Sequence, residues 1–184
     1  YSSAHPYDVE EVLVISEIDP NLNADPLGFN MQGFHPTYWL LNGRAHPDTL
    51  DPDDASSQPI SSRIEAAPGE RVLLRYHNAG FDHPSMVLLG VHQLVIARTG
   101  YELPTAFEAV AETVPAGQTM DVLITVPADA AVGSQFALFN RNMHLTNGAP
   151  FPSAGHSEGG QMTFLQVVGG GGPTPTPVPP TPTD

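Results

Sequence analysis

The sequence predicts an all-β chain folded as a two-sheet sandwich, on three observations. Apolar residues come in short runs rather than at helical spacing, Gly, Pro and Asn punctuate the runs, and the runs are numerous enough for two sheets. With 184 residues, 40% apolar and 14% charged, the chain has material for one sizeable core. No apolar run reaches the roughly 20 residues of a membrane-spanning helix.

The elements follow in order. A first strand is predicted over Val9–Glu17 and a second over Tyr38–Asn42, where Asn42-Gly43 is a hairpin-type turn. That places Trp39, the sole tryptophan, in the core. A strand over Ser62–Ala66 runs into Pro68-Gly69-Glu70, a turn that launches Arg71–Asn78. Ser85–Arg98 reads as one long strand and Ala109–Val114 as a short one. Pro115-Ala116-Gly117-Gln118 is a second launching turn, before a strand over Thr119–Val126, and Gln135–Phe139 and Gln161–Val168 complete the set. Trp39, Val72, Leu74, Val87, Leu89, Val95, Val122 and Ile124 are expected to face inward. On that basis Leu89→Ala is expected to cost roughly 2–5 kcal/mol through cavity formation.

The chain divides into a connector over 1–8, a domain over 9–168, and a joint and stalk over 169–184. Residues 169–172 are four consecutive glycines, and Pro173 to Thr183 alternate between Pro and Thr or Val, a composition that cannot build a core. The proline segment favours an extended left-handed helix rising roughly 3 Å per residue, enough to span roughly 35 Å. Thr-Pro repeats suit O-glycosylation, and the expected location is extracellular or at the cell surface. The absence of an initiator Met or signal peptide at Tyr1 is read as a matured product or a piece of something longer.

Composition excludes several chemistries. There is no Cys, hence no disulfide, thiolate catalyst, zinc ribbon or cysteine-dependent copper centre in this chain. Six Arg, no Lys and twenty acidic residues give a formal charge of −14, which repels nucleic acid and anionic lipid and helps keep an exported protein soluble. Without Lys there is no phosphate-cradling loop ending in Gly-Lys. Asp51-Pro52-Asp53-Asp54 lacks the spacing and the glycine of a calcium loop and reads as a solvated turn.

The order of motifs resembles a cupredoxin-like domain of the multicopper oxidase family. The matching segments are Tyr38-Trp39-Leu40-Leu41-Asn42-Gly43-Arg44 with Pro47-Asp48-Thr49, and Pro68-Gly69-Glu70-Arg71-Val72-Leu73-Leu74-Arg75 with Asn78-Ala79-Gly80. They continue through His83 to Gly100, then Pro115-Ala116-Gly117-Gln118-Thr119-Met120-Asp121-Val122-Leu123, and Gly159-Gly160-Gln161-Met162-Thr163. The resemblance runs from about Val9 to Val168 and implies a Greek-key β-sandwich.

The resemblance also implies what the chain has lost. Copper-binding members carry His-Pro-Met-His-Leu-His-Gly, two of whose histidines alternate along a strand as ligands. The counterpart here is Met86-Val87-Leu88-Leu89-Gly90, so Val87 and Leu89 stand at the ligand positions, with Ser85 as one extra residue. Aliphatics offer no lone pair to a metal. The family's second ligand strand carries His-x-His or His-Cys-His near the end of the domain. Here Leu138-Phe139-Asn140-Arg141-Asn142-Met143-His144 puts Phe139 and Arg141 at those positions, and a guanidinium repels copper.

Eight histidines remain: His5, His35, His46, His77, His83, His92, His144 and His156. His5, His35, His46 and His83 precede proline, which suits turns and strand entries. His92 is expected to be a core or edge histidine bonded to backbone, and a cryptic copper site from His83, His92 and His144 is the alternative weighed against it. Gly155-His156-Ser157-Glu158-Gly159 departs from Gly-x-Ser-x-Gly and reads as loop. Glu10, Glu11, Glu102, Glu108 and Glu112 form pairs that any acidic protein offers.

No catalytic, cofactor-binding or metal-ligating residue is therefore assigned, and no cofactor is expected in this chain. The leading expectation is a copper-free structural or interaction domain of an exported multicopper-oxidase-like protein. Its partners would be other domains or subunits of the same extracellular assembly, without nucleic acid or membrane insertion. Two alternatives stand beside it. One is part of an active copper oxidoreductase whose coppers lie in another domain or subunit, and the other is a subunit of a surface polymer or adhesin that adds strands between chains.

Overall fold

The computed structural model describes residues 5–52, 60–148 and 154–170. Asp53-Asp54 and the Pro/Thr segment from Pro173 to Thr183 lie outside the described residues. The described chain forms strands β1 (Val9–Ile18), β2 (Tyr38–Leu41), β3 (Ile64–Ala66), β4 (Arg71–Asn78), β5 (Ser85–Leu88) and β6 (Gln93–Arg98). They are followed by β7 (Tyr101–Ala109), β8 (Ala111–Thr113), β9 (Thr119–Thr125), β10 (Gln135–Asn140), β11 (Thr146–Asn147), β12 (Ser157–Glu158) and β13 (Met162–Val167). One short helix, α1 (Pro20–Ala24), and 3₁₀ turns at Met31–Gly33 and Asp48–Leu50 interrupt the connections.

Eleven strands build two sheets, a six-stranded one in the order β2-β1-β4-β9-β6-β7 and a five-stranded one in the order β3-β13-β10-β5-β8, and β11 and β12 form a separate two-stranded pair. Most neighbours are antiparallel, but β1 runs parallel to β4, and β13 parallel to β3. Side chains alternate along each strand, so every second residue points between the sheets. Leu13, Ile15, Val72, Leu74, Val95, Val122 and Ile124 from one sheet meet Ile64, Met86, Leu88, Leu138, Leu165 and Val167 from the other in one buried core. The sandwich expected from the spacing of apolar runs is thus the observed architecture.

A polar bridge crosses that core. Tyr76 on β4 donates its hydroxyl hydrogen to Gln93 Oε1 at 2.7 Å, and Gln93 Nε2 donates to the Met86 carbonyl on β5 at 3.1 Å. All three residues are fully buried. The pairing satisfies groups that would otherwise be costly there, and burial raises the Tyr76 pKa well above the phenol value.

Turn chemistry holds where the sequence placed it. Asn42 and Gly43 both have positive φ, 51° and 75°, the geometry a tight hairpin turn requires. The Asn42 side chain is also a strut: Oδ1 accepts from Val14 N at 2.7 Å, and Nδ2 donates to the carbonyls of Val12 and Ser61. Asn78 acts similarly at the end of β4, with Nδ2 donating to the carbonyls of Asp82 and Val114 and Oδ1 accepting from Gly80 N.

Several expectations are corrected. The single strand over Ser85–Arg98 is two strands in different sheets, since the chain turns at Leu89-Gly90 and crosses the sandwich. Gly90, at φ 88°, makes that turn possible. Leu89, expected inside, sits in the turn and is 50% exposed. Trp39 is only partly buried. Val72, Leu74, Val95, Val122 and Ile124 line the core as expected, whereas Val87, though buried, alternates with Met86 and Leu88 and faces away from it. A strand over Tyr101–Ala109 was not anticipated: it contains Pro104 and shows little burial, as befits an edge. The segment at Gly155–Gly159, read as loop, contains β12, which pairs with β11.

Candidate functional site

The two strands to which the resemblance assigns copper ligands are adjacent in the second sheet. β5 and β10 pair antiparallel, with Leu88 opposite Leu138, Val87 opposite Phe139 and Met86 opposite Asn140. Alternation sends Met86, Leu88 and Leu138 into the core, so Val87 and Phe139 share the opposite face of the sheet. The pairing continues beyond the strands. Leu89 N donates to the Ala137 carbonyl at 2.9 Å, and Arg141 N donates to the Ser85 carbonyl at 2.8 Å. Val87, Leu89, Phe139 and Arg141 are thereby gathered onto neighbouring positions of one sheet face.

Gathered there, they do not fit copper. Three are hydrocarbon side chains without a lone pair, and the fourth is a permanent cation. No group of three or more His, Cys, Asp or Glu side chains converges anywhere among the described residues.

The histidines are dispersed. His83 Nδ1 accepts a hydrogen bond from Ala116 N at 3.0 Å, a strand-entry role. His92 is exposed rather than a core histidine, and its Nδ1 lies 3.8 Å from Glu108 Oε2, beside a hollow that Arg71 and Leu123 also line. His144 lies beside Asp82, the residue before His83, whereas His92 sits with Glu108 and Arg71, and the trio His83, His92 and His144 does not converge. His35 N donates to Asp19 Oδ2 at 2.7 Å, and the His46 ring stands edge-on to Phe164 with centroids 6.2 Å apart. The carboxylates do not pair as acid and base either. Glu10 is held by Arg75 at 2.6 Å and Glu112 by Arg98 at 3.0 Å.

A larger hollow is a groove of about 340 Å³ at one end of the sandwich, lined by Phe34, His35, Pro36, Trp39, Phe81, Asp82 and His144. Four segments supply it: the turn after Met31–Gly33, strand β2, the loop after β4 and the loop after β10. Trp39 and His144 stack with centroids 3.4 Å apart and planes 11° apart, and Phe34 and Phe81 meet edge to face at 5.2 Å. Glu17 on β1 fastens the loop beneath, accepting from the backbone N–H groups of Phe81 and Asp82.

His144 is fixed by a chain of amides. Asn140 Oδ1 accepts from Ser85 N and Asn142 N, and its Nδ2 donates to Gln161 Oε1 at 2.8 Å. These bonds set the orientation of the Asn140 amide, whose Nδ2 lies 3.1 Å from His144 Nδ1 and donates to it. Nδ1 is therefore the acceptor, and the neutral ring carries its hydrogen on Nε2. Burial holds the His144 pKa below the usual imidazole value, against the pull of Asp82 and Glu17.

No single sequence pattern announces this groove. Trp39 read as core because an aromatic residue in an apolar run has the same signature whether it fills a sandwich or walls a hollow beside it.

No family model matches the sequence, and neither does any curated protein. Comparison with solved structures is informative. A blue copper oxidase from Nitrosomonas europaea superposes with a TM-score of 0.68 at 16% identity, over 87% of this chain and 44% of the other. The multicopper oxidase mgLAC gives 0.66 at 21% identity, again over 87% of this chain and 44% of the other. A copper nitrite reductase from Nitrosomonas europaea gives 0.63 at 21% identity, over 92% of this chain and 52% of the other. The chain thus spans about half the length of these proteins. Identities this low speak for fold alone, and what they establish, together with the paired β5 and β10, is that this chain has the cupredoxin-like fold found in multicopper oxidases and copper nitrite reductases.

Proposed function

We propose that this chain is a copper-free cupredoxin-like domain of an exported multicopper-oxidase-like protein, acting by position and contact. One observation carries the reading. Val87 and Phe139, which the resemblance sets at copper-ligand positions, are direct partners across β5 and β10, and neither has an atom a metal can bind. Cross-strand neighbours on one sheet face are positions from which two side chains could reach one ion, and here both side chains are hydrocarbon. Partners of such a domain are other domains or subunits of the same extracellular assembly, in keeping with a chain that spans about half of its structural neighbours. Among the described residues no helix is long and apolar enough to cross a membrane.

Oxygen consumption tests the reading. The chain, supplied with Cu(II) and a phenolic reductant, is expected to consume oxygen no faster than the same copper and reductant alone. Consumption that scales with the amount of chain and persists after free copper is removed would contradict it and favour the oxidoreductase alternative.

A further inference from the structure

The groove beside Trp39 holds a conflict that points to a ligand. Asp82 Oδ2 lies 3.4 Å from His144 Nδ1. That nitrogen already accepts the Asn140 hydrogen, so in the neutral ring it presents a lone pair, not a hydrogen, to the carboxylate. Two acceptors face each other. Protonating His144 on Nδ1 would relieve this only by setting the new hydrogen against the Asn140 NH₂, whose direction is locked by Ser85 N, Asn142 N and Gln161. The other oxygen of Asp82 is engaged by His83 N at 2.8 Å. The Asp82 side chain is 38% exposed, so Oδ2 is open from the solvent side to an N–H donor, and a charged donor makes the strongest such bond.

The walls define the rest of that ligand. Phe34, Trp39, Phe81 and Pro36 present flat apolar surface, and Phe81 is 65% exposed, so its ring is reachable from solvent. Aromatic faces attract cations, and a planar guanidinium can stack on a ring while its edge donates to a carboxylate. None of the six arginines lines the groove, so no cation of the lining other than a protonated histidine competes for Asp82. Glu17 lies behind Asp82, and the chain as a whole carries −14, so the field around the groove draws cations in.

We propose that the groove formed by Phe34, Trp39, Phe81, Asp82 and His144 binds a guanidinium cation, stacked on the aromatic wall and donating N–H hydrogens to Asp82. The shared chemistry covers a free small guanidine and an arginine side chain of a polypeptide. Neither Val87 nor Phe139, which carry the copper-free reading, takes part in this site, so the two stand or fall separately.

Trp39 is the sole tryptophan, so its fluorescence reports on this groove alone. The experiment titrates the full chain at low salt with agmatine and with the pentapeptide Gly-Gly-Arg-Gly-Gly. The same pentapeptide with citrulline in place of arginine serves as the neutral, nearly isosteric control. The expected result is a saturable change with the guanidinium compounds, none with citrulline, and weakening as salt is raised. Equal affinity for agmatine and peptide assigns a free guanidine as the ligand class, and tighter peptide binding assigns an arginine side chain. Asp82→Asn keeps an oxygen for His83 N and is expected to weaken binding at least about tenfold. Phe81→Ala, at an exposed position, is a second variant whose fold is checked by circular dichroism, and it is expected to weaken binding severalfold. Absence of a saturable response, equal binding of the citrulline peptide, or wild-type affinity in both variants would overturn the proposal.

Discussion

Leu88 and Leu89 adjoin in the chain yet end in opposite environments: Leu88 is fully buried between the sheets and Leu89 is half exposed in the turn that follows. Leu88→Ala is therefore expected to cost about 2–5 kcal/mol in urea unfolding and Leu89→Ala less than about 1 kcal/mol, which reverses the expectation that the apolar run alone gave for Leu89. The apolar run gave the wrong phase along β5, where Met86 and Leu88 rather than Val87 face the core, and the turn at Leu89-Gly90 ends the strand before Leu89 can join it. His144 gives a second prediction. Its folded pKa lies below the 6.5 of the free side chain, so just below pH 6.5 the unfolded chain takes up a proton that the folded chain refuses. The proton then favours the unfolded state, and stability falls as pH drops through this window. Comparing urea midpoints of the wild type and His144→Gln at pH 7.5 and 5.5 isolates the term. The variant is expected to lose less stability on acidification, and an equal loss in both would show that His144 contributes nothing to it.

Strands β4, β9, β10 and β13 were legible in sequence to within two residues at either end, because each is a concentrated apolar run launched by a turn or ended by polar residues. Other elements were hidden for identifiable reasons. β7 is a mostly exposed edge strand containing Pro104, so neither apolar alternation nor an unbroken hydrogen-bonding run marks it. β5 and β6 merged because Gly90 is the sole residue in Ser85–Arg98 with turn character, and a lone glycine is also compatible with a bulge. The groove was illegible because it draws one to three residues from each of four segments spread over more than a hundred positions. Gly90 itself can be tested. At φ 88°, and with a Cβ that would lie 3.3 Å from Phe136 Cδ1, Gly90→Ala is expected to destabilise by about 1–2 kcal/mol. Stability unchanged from wild type in thermal unfolding would mean that the crossing between the sheets does not depend on this turn. On the paired strands, Val87→His with Leu89→His is expected to create no tight copper site, since the partner segment still offers Phe139 and Arg141 rather than ligands. Stoichiometric copper that survives desalting in this variant would show that β10 is no barrier.

The two sheets close a continuous core, and the chain that does so carries twenty acidic residues against six arginines. Self-repulsion in a body of that charge is screened by salt. The fold and its cupredoxin-like character were readable from motif order because five short segments had to fall in sequence. The loss of ligands was readable because it is a matter of residue identity at four positions. What the residues at those positions now do together needed the register of β5 and β10, which no linear pattern supplies. A cupredoxin-like frame without copper ligands, as proposed here, should hold no copper of its own. Metal content by mass spectrometry, on chain purified natively and again after copper addition and desalting, tests it most directly. Less than about a tenth of an equivalent of copper in both samples is the predicted result. A stoichiometric copper that survives desalting would contradict it.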